Sequence, residues 1–321
     1  MRRVLSGLAL AGLLLTATAC GSSGESSGGT ESGGVDQVKV GVIPILDVAP
    51  IYLGKEKGFF ASRDIELTME AGQGGAAIVP GVVSGQFQFG FSNMTSLLIA
   101  QTKNVPIRTV AAGVASTGEQ GKDFGAVMVK ADSPIKTAAD LAGKKISVNT
   151  LKNIGDTTVR ESVRKAGGDP KSVAFVEMPF PNMPAALQDG QVDASWVVEP
   201  QLSQVKAAGG RLVASNFVDA APGLTVAAYF TSAKLADEDA DLVRRFTEAI
   251  TESLTYAGSH PDEVRAILGS YTKIDEKTRG ELILPKWPTE INQASVETLA
   301  ELGEQDGIFD GATPDVSKIL P

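Results

Sequence analysis

The chain has 321 residues, with 29 Lys plus Arg against 38 Asp plus Glu, a formal charge of −9, and 43% apolar residues. That length suits a sizeable core divided into about two lobes, while an acidic chain without a Lys/Arg block argues against nucleic acid and anionic lipid headgroups as partners. A single cysteine and a single histidine exclude an internal disulfide, a CxxC redox pair and a thiolate zinc site, and argue against His-cluster metal binding and most His-based catalysis.

In chain order, Arg2 and Arg3 precede an apolar run from Val4 to Ala19 that ends in the small residues Thr16-Ala17-Thr18-Ala19. The run is short for a membrane span and has the form of a secretory signal peptide, expected over residues 1–19. Ala17-Thr18-Ala19-Cys20 resembles the bacterial lipobox, with Ala where Leu is more usual; the resemblance implies a diacylated Cys20 as the mature N-terminus. An ordinary cleavage site beside an incidental cysteine is the simpler alternative. Residues 21–34, GSSGESSGGTESGG, cannot bury apolar surface and read as a flexible tether, so that 20–35 forms a lipidated cysteine plus linker. Such a coil would hold the folded body about 20 Å from its anchor.

From Val35 the pattern becomes short β-branched runs followed by amphipathic stretches. Strands are predicted at Gln37–Ile43, Ile65–Ala71, Phe87–Phe91 and Pro106–Gly113, with helices at Pro50–Phe60, Gly75–Ser84 and Thr95–Lys103 between them. A second unit follows, with strands at Ala126–Lys130, Lys145–Val148, Val173–Glu177, Ala194–Val198 and Arg211–Ala214, and helices at Thr157–Ala166, Met183–Asp189 and Pro200–Ala208. Leu224–Phe230 is again strand-like, and residues 239–257, 261–270, 275–284 and 290–303 read as a helical tail. This rhythm predicts an α/β protein of parallel sheets with helices on both faces. The expected domains are lobe one, 36–122 plus 222–321, and lobe two, 123–221, with a ligand cleft lined by loops at the carboxyl ends of the strands.

Four passages then carry a family resemblance. PIYLGKEKGFF at Pro50–Phe60 with Ile65-Glu66-Leu67, GQFQFGF at Gly85–Phe91, Ser133-Pro134-Ile135 with DLAGKKIS at Asp140–Ser147, and AALQDGQVDA at Ala185–Ala194 with Val198-Glu199-Pro200 together resemble the solute-binding proteins of the nitrate, sulfonate, taurine and thiamine-precursor group. The resemblance spans residues 37–310. It implies a two-lobed, type II-like periplasmic-binding-protein fold that closes about hinges, here near Gly121–Asp123 and Ala221–Gly223. It also implies a monomer that serves an ABC importer, capturing a small solute of sulfonate, nitrate, pyrimidine or aromatic type and delivering it to a membrane permease, without a cofactor, a metal or catalytic residues.

The candidate ligand contacts follow from the cleft loops. Asp47 could bind a ligand amine or ring N–H, or cap a turn before Pro50; Tyr52 could stack on the ligand or pack in the core. Gln73-Gly74-Gly75 could cradle an anion at a helix start or form a plain turn. Ser92 and Asn93 follow the third strand, where the family commonly touches its solute and where capping would also place Ser and Asn. The loop from Asn149 through Thr150 and Asn153 to Asp156 and Thr157 offers hydroxyl and amide groups at a helix start, and is the strongest candidate. Phe180, with Met183, would face an apolar or aromatic solute, and Glu199 is either a cleft carboxylate or a structural helix-start residue. With Lys152 the one cation in these loops, the balance leans towards a neutral or weakly basic ring.

Two other functions compete. A lipid-anchored sensor or partner-binding lipoprotein would keep the fold and tether but deliver nothing to a permease. The pyrimidine-forming enzymes that share the resemblance use an active-site histidine and a cysteine-rich motif; His260 lies at the start of a tail helix and Cys20 in the signal region, so their parts are missing and no enzyme is expected. The expected location is extracytoplasmic, with membrane contact through the N-terminal lipid alone.

Overall fold

The structure is a computed structural model that describes residues 34–320; the expected signal peptide, Cys20 and the tether as far as Gly33 lie outside those residues. In chain order the elements are β1 (Asp36–Val42), α1 (Ala49–Glu56), β2 (Ile65–Ala71), α2 (Gly75–Val83), β3 (Phe89–Asn93), α3 (Met94–Thr102), β4 (Ile107–Ala115), β5 (Gly125–Val129), β6 (Lys145–Val148), α4 (Ile154–Lys165), β7 (Ala174–Glu177), α5 (Met183–Gln188), β8 (Ala194–Val198), α6 (Gln201–Ala207), β9 (Arg211–Ala214), α7 (Asn216–Ala220), β10 (Thr225–Ser232), α8 (Ala233–Glu238), α9 (Ala240–Ser259), α10 (Pro261–Ile267), α11 (Glu276–Glu281) and α12 (Gln293–Gln305).

The strands form two five-stranded sheets, in the orders β2-β1-β3-β10-β4 and β7-β6-β8-β5-β9. Every residue of β3, β5, β8 and β10 is buried, as central strands covered on both faces require, which is why they read as continuous apolar runs. Edge strand β7 has no buried residue. Helix α9 shows the complementary period: Leu242, Phe246, Ala249, Ile250, Ser253, Leu254 and Ala257 form its buried stripe, spaced three and four residues apart. Phe246 in that stripe stacks on Phe89 of β3 at 3.7 Å and 5°, which fixes the helical tail against the first sheet. In the second sheet Trp196 of β8 holds the same place, packed between Phe180 at 5.5 Å and Phe217 at 5.9 Å.

One sequence-based expectation is corrected. Strand–helix alternation predicts parallel sheets, yet both sheets are mixed: β10 lies antiparallel between β3 and β4, and β5 lies antiparallel between β8 and β9. These are the two strands that arrive from the other sheet. Each enters beside the carboxyl ends of its neighbours, with Gly125 opposite Val198 and Ala227 opposite Asn93, so it has to run away from that end. A βαβ unit dictates direction within one sheet, and a crossing reverses it. The helices α7 and α8 are additional to those expected.

The two crossings lie side by side. Ser116 N donates to Leu224 O at 2.9 Å, Gly121 N donates to Ser215 Oγ at 2.8 Å, and Gln120 Nε2 donates to Asp219 Oδ1 at 2.6 Å. Gly118, Gly121 and Gly223 hold φ of 78°, 76° and 58°, left-handed values that glycine reaches without a Cβ clash.

Candidate functional site

The carboxyl ends of β1, β3, β6 and β8 and the start of β10 converge on a cavity between the two sheets. After β1 the chain turns through Ile43, Ile45 and Asp47; β3 supplies Phe91 and Asn93; the loop after β6 supplies Asn149 and Ile154; β8 supplies Trp196 and Val198; Phe180, Phe217, Val226 and Ala227 complete the wall. The cavity measures about 20 Å³, room for about one water molecule. As it stands the cavity is too small for an organic molecule. A larger groove of about 750 Å³ lies along Phe59, Arg63 and α9, but it is shallow and stands apart from the strand ends.

Asp47 dominates the electrostatics. It is 3% exposed, and its Oδ1 has no hydrogen-bond partner. Burial pushes its carboxyl up to about 8, with its own backbone contact opposing and the nearby Asp123 adding to the rise. Its carbonyl is held by Trp287, whose Nε1 donates at 3.1 Å. Three tyrosines stand around it. Tyr52 and Tyr271 stack at 3.9 Å and 9°, and the Tyr271 hydroxyl donates to Ile45 O at 3.1 Å. The buried Tyr229 hydroxyl has no partner, and burial drives Tyr229 and Tyr271 well above the ordinary phenol range. Asp123, on the first crossing, is buried but well held: Ser116 Oγ donates to it at 2.5 Å and the amides of Thr117 and Phe124 at 3.0 Å each.

The rim of the cavity is zipped by bonds from one sheet's helices to the other's. Asn153 caps α4, its Oδ1 accepting from Ile154 N at 2.9 Å, while its Nδ2 donates to Ser96 Oγ on α3 at 3.0 Å. Asn149 Nδ2 donates to Gln73 O at 3.3 Å, and Gln73 Nε2 returns a longer contact to Asn149 O at 3.5 Å. Arg164 of α4 pairs with the partly buried Asp306 after α12 at 2.6 Å, and Lys152 pairs with Asp310 at 3.4 Å on the surface.

Of the expected contacts, Asp47, Asn93, Asn149 and Phe180 line the cavity, and Asn153 joins its two sides. The others stand elsewhere. Tyr52 stacks on Tyr271, and Ser92 donates to Asn93 O at 3.2 Å beside Gly75. Thr157 donates back to Asn153 O at 3.3 Å within its helix, and Thr150 faces Gly74 across the rim. Asp156 is pushed up to about 7, chiefly by burial; its Oδ2 accepts from Lys152 N at 3.0 Å and it is not part of the wall. Glu199 is fully engaged by the protein: Ser203 N and Oγ donate to it at 3.0 and 2.9 Å, and Ile283 N at 3.1 Å. Gln73 bonds to Asn149 across the rim and is not part of the wall, and Met183 is buried in α5.

Sequence reasoning missed the aromatic wall of Phe91, Trp196 and Phe217. The signal for Trp196 was present: it lies two residues before Val198, on the same face of β8. Phe217 gave none, because it reaches the cavity only by packing on β5, where Gly125 leaves room for its ring.

Two sheets joined by paired crossings, with a cleft at their strand ends, define the class of two-lobed binding proteins. Residues 46–264 match the NMT1/THI5-like family model, and the chain belongs to that family. It is 21% identical to the formylaminopyrimidine-binding protein of Halalkalibacterium halodurans over 68% of this chain and 64% of that protein. It is 25% identical to the taurine-binding periplasmic protein of Escherichia coli over 59% of this chain and 56% of that one. The chain thus spans less than two thirds of the length of these curated relatives. Among solved structures, the alkanesulfonate-binding protein SsuA of Xanthomonas axonopodis pv. citri superposes with a TM-score of 0.73 at 17% identity, covering 87% of this chain and 95% of that one. The periplasmic nitrate-binding protein NrtA of Synechocystis gives 0.69 at 18%, covering 85% and 82%. These likenesses establish the periplasmic-binding-protein fold.

Proposed function

We propose that the chain is the extracytoplasmic solute-binding component of an ABC importer, working by capture and closure rather than by making bonds. The observation that carries the reading is the cavity at the strand ends, walled by both sheets and rimmed by bonds that part if the sheets separate. Residues 36–122 with 222–321 and residues 123–221 are taken as the two moving lobes, and the paired crossings as the hinge. A solute that adds contacts only in the closed form shifts the population towards it, and the closed form is what a permease would recognise. Family membership and the names of the relatives support the same reading. The one histidine, His260, stacks on Tyr256 at 3.7 Å and does not line the cavity, which supports binding over catalysis. Among the described residues no helix is long and apolar enough to cross a membrane. We take Cys20 as a lipid anchor; Cys20→Ser would then release the chain from the membrane fraction.

The test combines tryptophan-fluorescence melting with small-angle scattering on the purified full chain. The panel is nitrate, taurine, alkanesulfonates, thiamine pyrimidines, and aromatic acids and amines. A solute at about 100 times its Kd adds about 2.7 kcal/mol to apparent stability. The expected result is one solute class that raises Tm saturably and lowers the radius of gyration. Absence of both effects across the panel would overturn the receptor reading in favour of a partner-binding lipoprotein.

A further inference from the structure

The chemistry of the cavity wall is asymmetric. Among the described residues no Arg, Lys or His lines it, and its ionisable member is Asp47. Two buried polar atoms of that wall have no partner: Asp47 Oδ1, an acceptor, and Trp196 Nε1, a donor. Around them stand the rings of Phe91, Phe180, Trp196 and Phe217. At the two helix starts nearest the cavity a side-chain cap takes one amide each. Asn93 Oδ1 accepts from Ser96 N at 2.9 Å at the start of α3, and Asn153 does the same at the start of α4. The start of α2 has no side-chain cap but is not part of the wall.

From this arrangement we infer that the solute is a planar aromatic cation, its charged nitrogen on Asp47 Oδ1, its ring among Phe180, Trp196 and Phe217, and any acceptor atom on Trp196 Nε1. The inference rests on the receptor reading and narrows it. An oxyanion finds no fixed positive charge in this wall, whereas a cation pairs with Asp47 as its proton leaves and gains from the aromatic faces. The rings also suit a flat ligand, since aromatic walls stack on it at small entropic cost. A cavity of about 150 Å³ accepts a benzene-sized ring, so the lobes close less far around the solute than they do here.

The proton balance follows. Before binding, Asp47 carries a proton in its buried site up to about pH 8; the cation replaces that proton as the carboxylate's partner, and the proton leaves to solvent. The groups facing Asp47 are Tyr52 on α1, Tyr229 on β10, Tyr271 after α10, and Asp123 on the crossing. The phenols stay neutral through this range and Asp123 adds negative charge, so none of them supplies the cation.

The experiment is calorimetric titration of the purified full chain with benzamidine, benzylamine and 4-aminopyridine as cations, benzamide as the neutral match, and benzoate, nitrate and taurine as controls. Expected are at least tenfold tighter binding of benzamidine than of benzamide, no binding of benzoate, and proton release that fades as pH rises past about 8. Asp47→Asn is expected to remove both the tenfold preference and the proton release; Trp196→Phe keeps the ring wall and the cation preference while weakening ligands that carry an acceptor. If Asp47→Asn fails to fold, proton release by the parent decides. Equal binding of benzamidine and benzamide, or capture of nitrate, taurine or benzoate with contraction in scattering, would overturn the cation assignment and leave the receptor standing. Failure of every cation to bind also overturns it, and the receptor itself falls only if no solute in the wider panel contracts the protein.

Discussion

Asp47 is a carboxyl whose folded value, about 8, lies far above that of an exposed aspartate, about 3.9. The folded state therefore binds a proton that the unfolded state has released, and stability falls as pH rises from about 4 to about 8. Asp156, pushed to about 7, acts with the same sign over a slightly narrower window. Asp47→Asn is accordingly expected to gain stability relative to the parent as pH rises through that window, read as the difference between the two Tm curves. A constant difference across pH 4–8 would mean that Asp47 is already ionised in the folded chain. At this scale the sequence placed Asp47 after β1 and offered an amine partner or a turn cap as its role. The 3.1 Å bond from Trp287, a residue 240 positions further on, is among the contacts that bury it, and no local pattern announces such a contact.

Among the elements, α4 ties the two sides of the site together. Its cap Asn153 closes the helix start and reaches α3 at the same time, so Asn153→Ala is expected to cost about 1 kcal/mol for the cap. It also removes one rim bond, which a urea titration of the variant beside Ser96→Ala separates: the second substitution loses the rim bond and leaves the cap. Equal losses in the two variants would mean that the cap contributes nothing. Element identity was largely legible, because period-2 and period-3.6 patterns are local. β2, β6, β8 and β9 span the residues expected of them, and α4 begins three residues before its expected start because Ile154–Asp156 look like loop. Strand direction was not legible: β10 and β5 have the composition of any buried strand, and what makes them antiparallel is the end of the sheet at which the chain re-enters.

For the whole molecule, the test of closure is Gly74. A Cβ there would lie 2.8 Å from Thr150 Oγ1 and 3.1 Å from Asn149 Nδ2, contacts that exist only with the cleft shut. Its extended backbone, φ −178°, accepts any residue, so Gly74→Val is expected to leave Tm nearly unchanged while raising the radius of gyration. Solute affinity should change by less than the radius suggests, because the lobes stand further apart around a solute than they do here. An unchanged radius with unchanged affinity would show that closure does not bring these residues together in solution.

Composition, hydrophobic period and turn residues determined the α/β class, most of the elements, and the strand ends and loops that carry Asp47, Asn93, Asn149 and Phe180, since each of these depends on residues a few positions apart. The antiparallel strands and the company that each polar group keeps were decided only in the folded chain. Glu199 shows the difference: the same carboxylate that reads as a cleft ligand is held by Ser203 and Ile283, while Trp196, three residues earlier, leaves its indole N–H unpaired at the cavity wall. Burial and hydrogen-bond pairing are properties of neighbours distant in sequence, and it is those two properties that separate a structural carboxylate from a binding one.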